Sequence, residues 1–142
     1  MGASGWNYTV PYQSDFNRAL YELRAAVFAD EQYHWPRRDQ PRPATVGRLL
    51  ADDWVQQSGT HSILDVSRVL DRGDPPEFGA IEVLSAADLL GRGGGLPTRD
   101  HTDLVDQIVE EEWAPNRVAR FSVLYDDAGK PDEIYVSGIT GD

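Results

Sequence analysis

Apolar residues recur along this chain with two spacings, and the spacing switches several times between strand-like and helix-like. Near the start, Trp6, Tyr8, Val10 and Tyr12 alternate with polar residues. This period of two predicts a β-strand. The strand should end near Pro11 or lie at a sheet edge, because proline has no backbone donor.

A helical pattern follows, and Ser14 is the residue expected to cap it. We predict the first helix over residues 15–29. Its apolar positions at helical spacing are Phe16, Ala19, Leu20, Leu23, Ala26 and Val27.

A second helix is predicted between Thr45, its expected cap, and Gly59, its expected end. Its apolar positions are Val46, Leu49, Leu50, Trp54 and Val55. The proline-rich segment before Thr45 cannot continue a regular helix, so it should connect the two helices.

The middle of the chain is harder to interpret. Residues 61–70 fit either a strand or a helix, and their β-branched side chains favour a strand. Residues 78–84 also indicate a strand, so the two segments could form a hairpin. Ser85 with Asp88 then resembles a capping box for a short helix that closes at Gly91.

A further helix should start at Thr98 or Asp100, after a glycine-rich run at 91–97 that is expected to be a mobile loop. The apolar residues that this helix should bury are Leu104, Val105, Ile108, Val109 and Trp113.

Two strand-like runs near the end, 118–125 and 133–139, surround a turn. The order of elements predicts an α+β fold in a single domain covering residues 1–142. We expect an antiparallel sheet of about five strands, with three to four helices packed mainly on one face. Residues 9–12, 120–125 and 133–137 should all belong to this sheet.

Composition narrows the possible functions. The chain has 24 acidic and 13 basic residues among 142, a formal net charge of −11. That charge repels nucleic-acid backbones. It is compatible with plain solubility, with a protein partner that has a basic surface, or with mimicry of nucleic acid. The chain has no cysteine, which excludes disulfide and thiolate chemistry. Without a long apolar run or a secretory pattern, the sequence indicates a soluble cytoplasmic protein and no membrane partner.

A basic, aromatic segment at 33–43 stands out against this acidic background. Its rings and guanidinium groups are of the types that dominate protein-binding hot spots. They could equally anchor a connector into the core. The partner-binding candidates in this segment are Tyr33, Trp35, Arg37 and Arg38. The alternative is a pocket for a small molecule or substrate, lined by Tyr33, His34, Arg37, Arg38 and His61.

Catalytic and metal-binding patterns are weak. His61, Ser62 and Asp65 lie close in sequence, but in a strand Ser62 would point away from the other two, so no triad is predicted. The three histidines have no paired spacing and there are no thiols, so no metal or cofactor is expected. A role other than catalysis is favoured.

The last predicted helix carries Asp103, Asp106 and Glu110 at spacings of three and four. Such spacings place the carboxylates on one side, where like charges repel each other. We therefore expect these residues to bind a cationic partner. The sequence suggests a small acidic protein-binding module, and an antitoxin or immunity-type inhibitor of a basic enzyme would fit its size and charge.

Overall fold

The computed structural model describes residues 4–91 and 95–141, and a five-stranded sheet lies at its centre. The strands are β1 (Ser4–Pro11), β2 (Arg68–Val69), β3 (Ala80–Leu84), β4 (Ala119–Tyr125) and β5 (Pro131–Thr140). The helices are α1 (Phe16–Ala29), α2 (Val46–Ala51), α3 (Asp53–Ser58), α4 (Ala86–Leu90) and α5 (Thr102–Glu111), with 3₁₀ turns at Ile63–Asp65 and Arg99–His101. The predicted α+β class is confirmed.

The sheet is mixed, so the prediction of a purely antiparallel sheet is wrong. Its strand order is β1-β5-β4-β3-β2. β5 runs antiparallel to both β1 and β4, while β3 runs parallel to β4 and to β2. The predicted common sheet of residues 9–12, 120–125 and 133–137 is otherwise confirmed. Only Tyr12 lies just beyond β1, where its N–H still donates to the Asp132 carbonyl.

The segment 61–70 is mostly not a strand, and it forms no hairpin with β3. Only Arg68 and Val69 pair with β3, in parallel. Upstream, the Ser62 hydroxyl accepts the Leu64 N–H at 3.1 Å and closes a 3₁₀ turn. This turn buries consecutive apolar side chains, so the segment needs no strand-like alternation to reach the core.

The five α-helices of the described residues cover both faces of the sheet, whereas three to four helices packed mainly on one face were predicted. On one face, α1, α2 and α3 pack on a large apolar cluster that includes Phe121 and Val136. On the other face, α4 and α5 pack on a smaller cluster that includes Leu124 and Tyr135. Successive residues of β4 and β5 are therefore buried on alternate sides.

The face under α5 also buries polar groups. Arg120 is only 1% exposed, and its Nη1 donates to the Ala119 carbonyl at 3.0 Å. Its Nε lies 3.9 Å from a Glu82 carboxylate oxygen, and Arg117 Nε lies 3.2 Å from the other oxygen. The charge of the buried guanidinium is thus compensated within the sheet.

Two helix predictions need correction. Asp15, rather than Ser14, caps α1 by accepting the Arg18 N–H at 3.0 Å. The single helix predicted after Thr45 is broken at Asp52, whose backbone is extended and whose carboxylate caps α3.

Other helix ends agree with the sequence. Thr45 caps α2, Gly59 ends α3, and Ser85 with Asp88 forms the predicted capping box of α4, which ends at Gly91. Residues 92–94 of the predicted glycine-rich loop lie outside the described residues.

α5 buries Val105 and Val109 as predicted, but Leu104 is 38% and Trp113 42% exposed. Trp113 lies beyond the end of the helix at Glu111. Across the described ranges, no helix combines the length and apolar character that crossing a membrane requires.

Candidate protein-binding surface

The aromatic residues of segment 33–43 form contacts within the protein. Tyr33 is 7% exposed, and its ring stacks on Phe28 at a centroid distance of 5.7 Å. The Arg42 guanidinium lies 4.6 Å from the Tyr33 ring centroid. Trp35 is half-buried, and its Nε1 donates to the Gln40 carbonyl at 3.1 Å. Tyr33 therefore anchors this connector to the α1 side of the core.

Arg37 is also engaged, whereas Arg38 is not. Arg37 Nε donates to Asp52 at 2.5 Å, and its guanidinium lies 4.5 Å from the Trp54 ring centroid. The Arg37 hydrogen bond lowers the pKa of the Asp52 carboxyl. Arg38 is exposed and forms no hydrogen bond or ion pair with the described residues.

The two histidines of the alternative pocket meet edge to face, with ring centroids 5.1 Å apart. His34 is exposed, and its backbone N–H donates to the Thr60 carbonyl at 2.9 Å. His61 is half-buried and adopts a positive φ of 53°. Of the five predicted pocket residues, the structure brings these two together, while Tyr33 and Arg37 have other partners.

The Ser62 hydroxyl is part of a structural network. It is fully buried and lies 2.7 Å from the Thr60 hydroxyl. Asp65 accepts the Thr60 hydroxyl at 2.9 Å and the Thr140 hydroxyl at 2.6 Å. Trp6 Nε1 donates to Thr140 at 2.7 Å. These bonds tie the turn at 60–65 to β1 and β5.

Asp106 of α5 lies against β5. Its carboxylate accepts the Tyr135 hydroxyl at 2.8 and 3.0 Å and the Ser137 hydroxyl at 2.7 Å. Burial of Tyr135 and its hydrogen bond to Asp106 raise the pKa of that phenol, and the nearby charge of Asp103 adds to the shift. Asp106 is half-buried, and it fixes the orientation of α5 over the sheet.

The contacts of the opposite flank of α5 show the direction in which the three carboxylates point. Ile108 packs in the cluster formed with α4, and Glu112 pairs with Arg117, which reaches Glu82 of β3. That flank therefore faces α4 and β3. The flank that carries Asp103, Asp106 and Glu110 faces the other way, towards β1, and the predicted common side of the three carboxylates is present.

Asp103 and Glu110 are exposed on this flank, and neither forms an ion pair with a cation among the described residues. Most other acids have local roles. For example, Arg99 reaches Asp132 at 3.0 Å and Glu133 at 3.2 Å. No ion pair with a described residue therefore neutralises Asp103 or Glu110.

Beside this flank, no helix of the described ranges covers one face of β1. Asn7 lies opposite Ser137, Thr9 opposite Tyr135 and Gly5 opposite Ile139, so these three residues of β1 share the α5 face of the sheet. All three are exposed. We call the combined surface the acidic shelf, with Gly5, Asn7 and Thr9 as its floor and Asp103, Asp106 and Glu110 as its wall.

Trp113 follows α5 and bonds to β5. Its Nε1 donates to the Ile139 carbonyl at 2.9 Å. Sequence reasoning missed this contact, because it assigned Trp113 to the core. The floor had a readable signal in the small or polar residues at 5, 7 and 9 that alternate with Trp6, Tyr8 and Val10.

One concavity of the described residues lies away from the predicted pocket. A cleft of about 910 Å³ opens where β2 and β3 end and where α1 and α4 begin. None of the five predicted pocket residues lines it. Several of its acids have structural roles, because Asp15 and Asp88 cap helices and Glu82 pairs with Arg117. No metal-binding group of three or more side chains occurs within the described residues.

Comparison of the chain with protein-family models, with curated proteins and with solved structures finds no match.

Proposed function

We propose that this protein is a binding module for a protein with a basic surface, and that it acts in the cytoplasm as an antitoxin or immunity-type inhibitor of a basic enzyme would. The acidic shelf is the observation that carries the proposal. Exposed carboxylates that form no ion pair with the described residues generate a field that steers a cationic partner and speeds its association. The overall charge of −11 acts in the same direction.

The side chains around the shelf suit this role. Trp113 offers a partly exposed ring of the kind that is enriched in protein interfaces. Asp106, bonded to two hydroxyls, holds α5 in place so that Asp103 and Glu110 have fixed positions. Of the partner-binding candidates in segment 33–43, by contrast, only Arg38 remains without a partner among the described residues, so we give that segment at most a peripheral role in binding.

The test compares two doubly substituted proteins of equal charge. Asp103→Asn with Glu110→Gln neutralises the shelf, and Asp30→Asn with Asp39→Asn removes two exposed charges on the α1 side. Each protein is used to capture partners from the native host, and association rates are measured with the partner that the wild-type protein retains. We expect the shelf variant to associate several-fold more slowly, and the wild-type rate to fall steeply as salt increases.

The control variant should capture the partner at close to the wild-type rate. A retained partner with an acidic surface, or equal slowing by the two variants, would contradict the proposal.

The cleft supports a second candidate, small-molecule binding. Ligands of open sheets commonly bind beyond the carboxyl ends of parallel strands, where connections leave to opposite faces. α1 and α4 start on opposite faces at this cleft. A compound that raises the melting temperature of the wild-type protein but not of Asp71→Arg, which places a bulky cation in the cleft, would favour this candidate.

A further inference from the structure

The floor of the acidic shelf is also a sheet edge. β1 pairs with β5 alone, at one end of the strand order, and is eight residues long. Its sequence contains no charged residue, and its one proline stands at the last position. Charges, prolines and short length are the usual means by which proteins block pairing at an edge, and β1 has few of them.

The backbone groups that point outwards can be identified from the register. Tyr12 donates its N–H to the Asp132 carbonyl, so Tyr12 and the even-numbered residues of β1 direct their backbone groups towards β5. Gly5, Asn7 and Thr9 therefore direct theirs to the open edge. No hydrogen bond to another described residue satisfies these outward groups.

The same three residues form the floor of the shelf. An added strand that pairs with them would place alternate side chains on the α5 face, beside the floor. Because the floor has no side chain at Gly5 and only short ones at Asn7 and Thr9, long side chains could cross it. Lysine or arginine in those positions would extend towards Asp103 and Glu110.

We propose that β1 accepts an extended basic segment of the partner as a sixth strand, with alternate lysines or arginines over the acidic shelf. This inference rests on the proposed function and specifies how the partner binds. Main-chain pairing supplies affinity in such strand addition, and the alternate side chains supply specificity. Two copies of this chain would each bring a net charge of −11, which opposes pairing of β1 with β1.

The probe is a labelled eight-residue peptide in which lysine alternates with threonine, and binding is followed by fluorescence anisotropy. Two further peptides carry N-methyl groups, one on the lysine amides and one on the threonine amides. Only one alternating set of amides faces β1 in an added strand. We expect one methylated peptide to bind about tenfold more weakly or worse, and the other to bind like the parent.

The methylated peptide that loses affinity reports the strand direction. Residues opposite Gly5, Asn7 and Thr9 carry the side chains that face α5. In an antiparallel pair these residues also direct their amides to β1, and in a parallel pair their neighbours do. Loss on methylating the lysine amides therefore indicates an antiparallel added strand, and loss on the threonine amides a parallel one.

A matched protein variant tests the edge directly. Asn7→Pro removes an outward N–H without removing a hydrogen bond to β5, so the β1–β5 ladder should persist, as a melting curve would verify. We expect Asn7→Pro to bind the peptide about tenfold more weakly than Asn7→Thr, which keeps the outward N–H. The methylated peptides use the wild-type protein, so they decide the matter even if Asn7→Pro fails to fold.

Failure of this inference differs from failure of the proposed function. Charge-dependent binding that weakens in Asp103→Asn/Glu110→Gln but ignores both N-methyl sets and Asn7→Pro would overturn strand addition and leave the proposed function standing. Absence of peptide binding, or a dimer in sedimentation that Asn7→Pro disperses, would overturn the choice of a basic segment as occupant.

Discussion

Segment 33–43 and the acidic shelf differ in how far their side chains are satisfied within the protein. The segment is rich in arginine and aromatic residues, yet Tyr33 is buried, Arg37 is paired with Asp52 and Arg42 lies over Tyr33. The shelf consists of carboxylates and small or polar residues, but its Asp103 and Glu110 have no cationic partner among the described residues. Residue types that suit binding therefore indicate a binding surface only where internal partners leave them available.

Among the tests of this comparison, Tyr33→Ala should have the largest effect on stability. Removing a buried ring that stacks on Phe28 should lower the free energy of unfolding by about 3–5 kcal/mol, as aromatic truncations in cores do. Denaturant unfolding measures the loss. Tyr21→Ala is the control, because Tyr21 is 74% exposed and its truncation should cost about 0.5 kcal/mol or less. A Tyr33 variant that keeps its stability but no longer captures the partner would reverse our assignment of the two regions.

Within the shelf, Asp106 should contribute more to stability than its neighbours. Asp106→Ala leaves the Tyr135 and Ser137 hydroxyls without their acceptor, which should lower the free energy of unfolding by about 1–3 kcal/mol. Asp103→Ala removes no hydrogen bond within the described residues and should be close to neutral. Equal losses in the two variants would mean that Asp106 does not hold α5 in place.

High pH should weaken the hydrogen bond between Tyr135 and Asp106 and so lower the free energy of unfolding, by less than Asp106→Ala does. The pKa of Tyr135 in the folded protein lies above its unfolded value of about 10, and that of Tyr8 is also raised, chiefly by burial. Above about pH 10 the unfolded chain releases phenol protons that the folded protein retains, so stability should fall as pH rises. Urea unfolding between pH 8 and 11 measures the slope. Tyr135→Phe should flatten it, and an unchanged slope would contradict this account.

The smallest effect is expected from neutralising the shelf itself. Asp103 and Glu110 lie three and four residues from Asp106, and like charges at these spacings repel. Asp103→Asn with Glu110→Gln should therefore raise the free energy of unfolding by a few tenths of a kcal/mol, up to about 1. Thermal melts at low and high salt can resolve the gain, which salt should reduce. A clear loss of stability would show that these carboxylates have a structural role.

Periodicity predicted the elements well, because each period depends on neighbouring residues. The alternation from Trp6 to Val10 and the helical spacing in α1 are properties of single segments. Strand pairing depends on distant partners, and no local pattern indicates that β3 lies parallel to β4 or that helices cover both faces. Arg120 illustrates what periodicity cannot predict, since its buried position depends on Glu82 in a neighbouring strand.

The candidate site was predictable to the same extent. Spacing alone placed Asp103, Asp106 and Glu110 on one flank of α5. The depth of Asp106 depends on Tyr135 and Ser137, which lie 29 and 31 residues further along the chain. Whether Arg37 was available depended on Asp52, 15 residues away. Such pairings depend on the fold. The sequence could therefore identify these side chains as candidates, but it could not show which of them are available for binding.

The pairing of β1 with β5 has a consequence for how the protein is made on the ribosome. Ser4 lies opposite Thr140, so β1 stays without its partner until β5 has emerged from the exit tunnel. Contacts between such distant residues also slow folding, because a long loop must close before they form. During synthesis β1 is therefore exposed on both edges, and early capture of the nascent chain by a chaperone would protect it from aggregation.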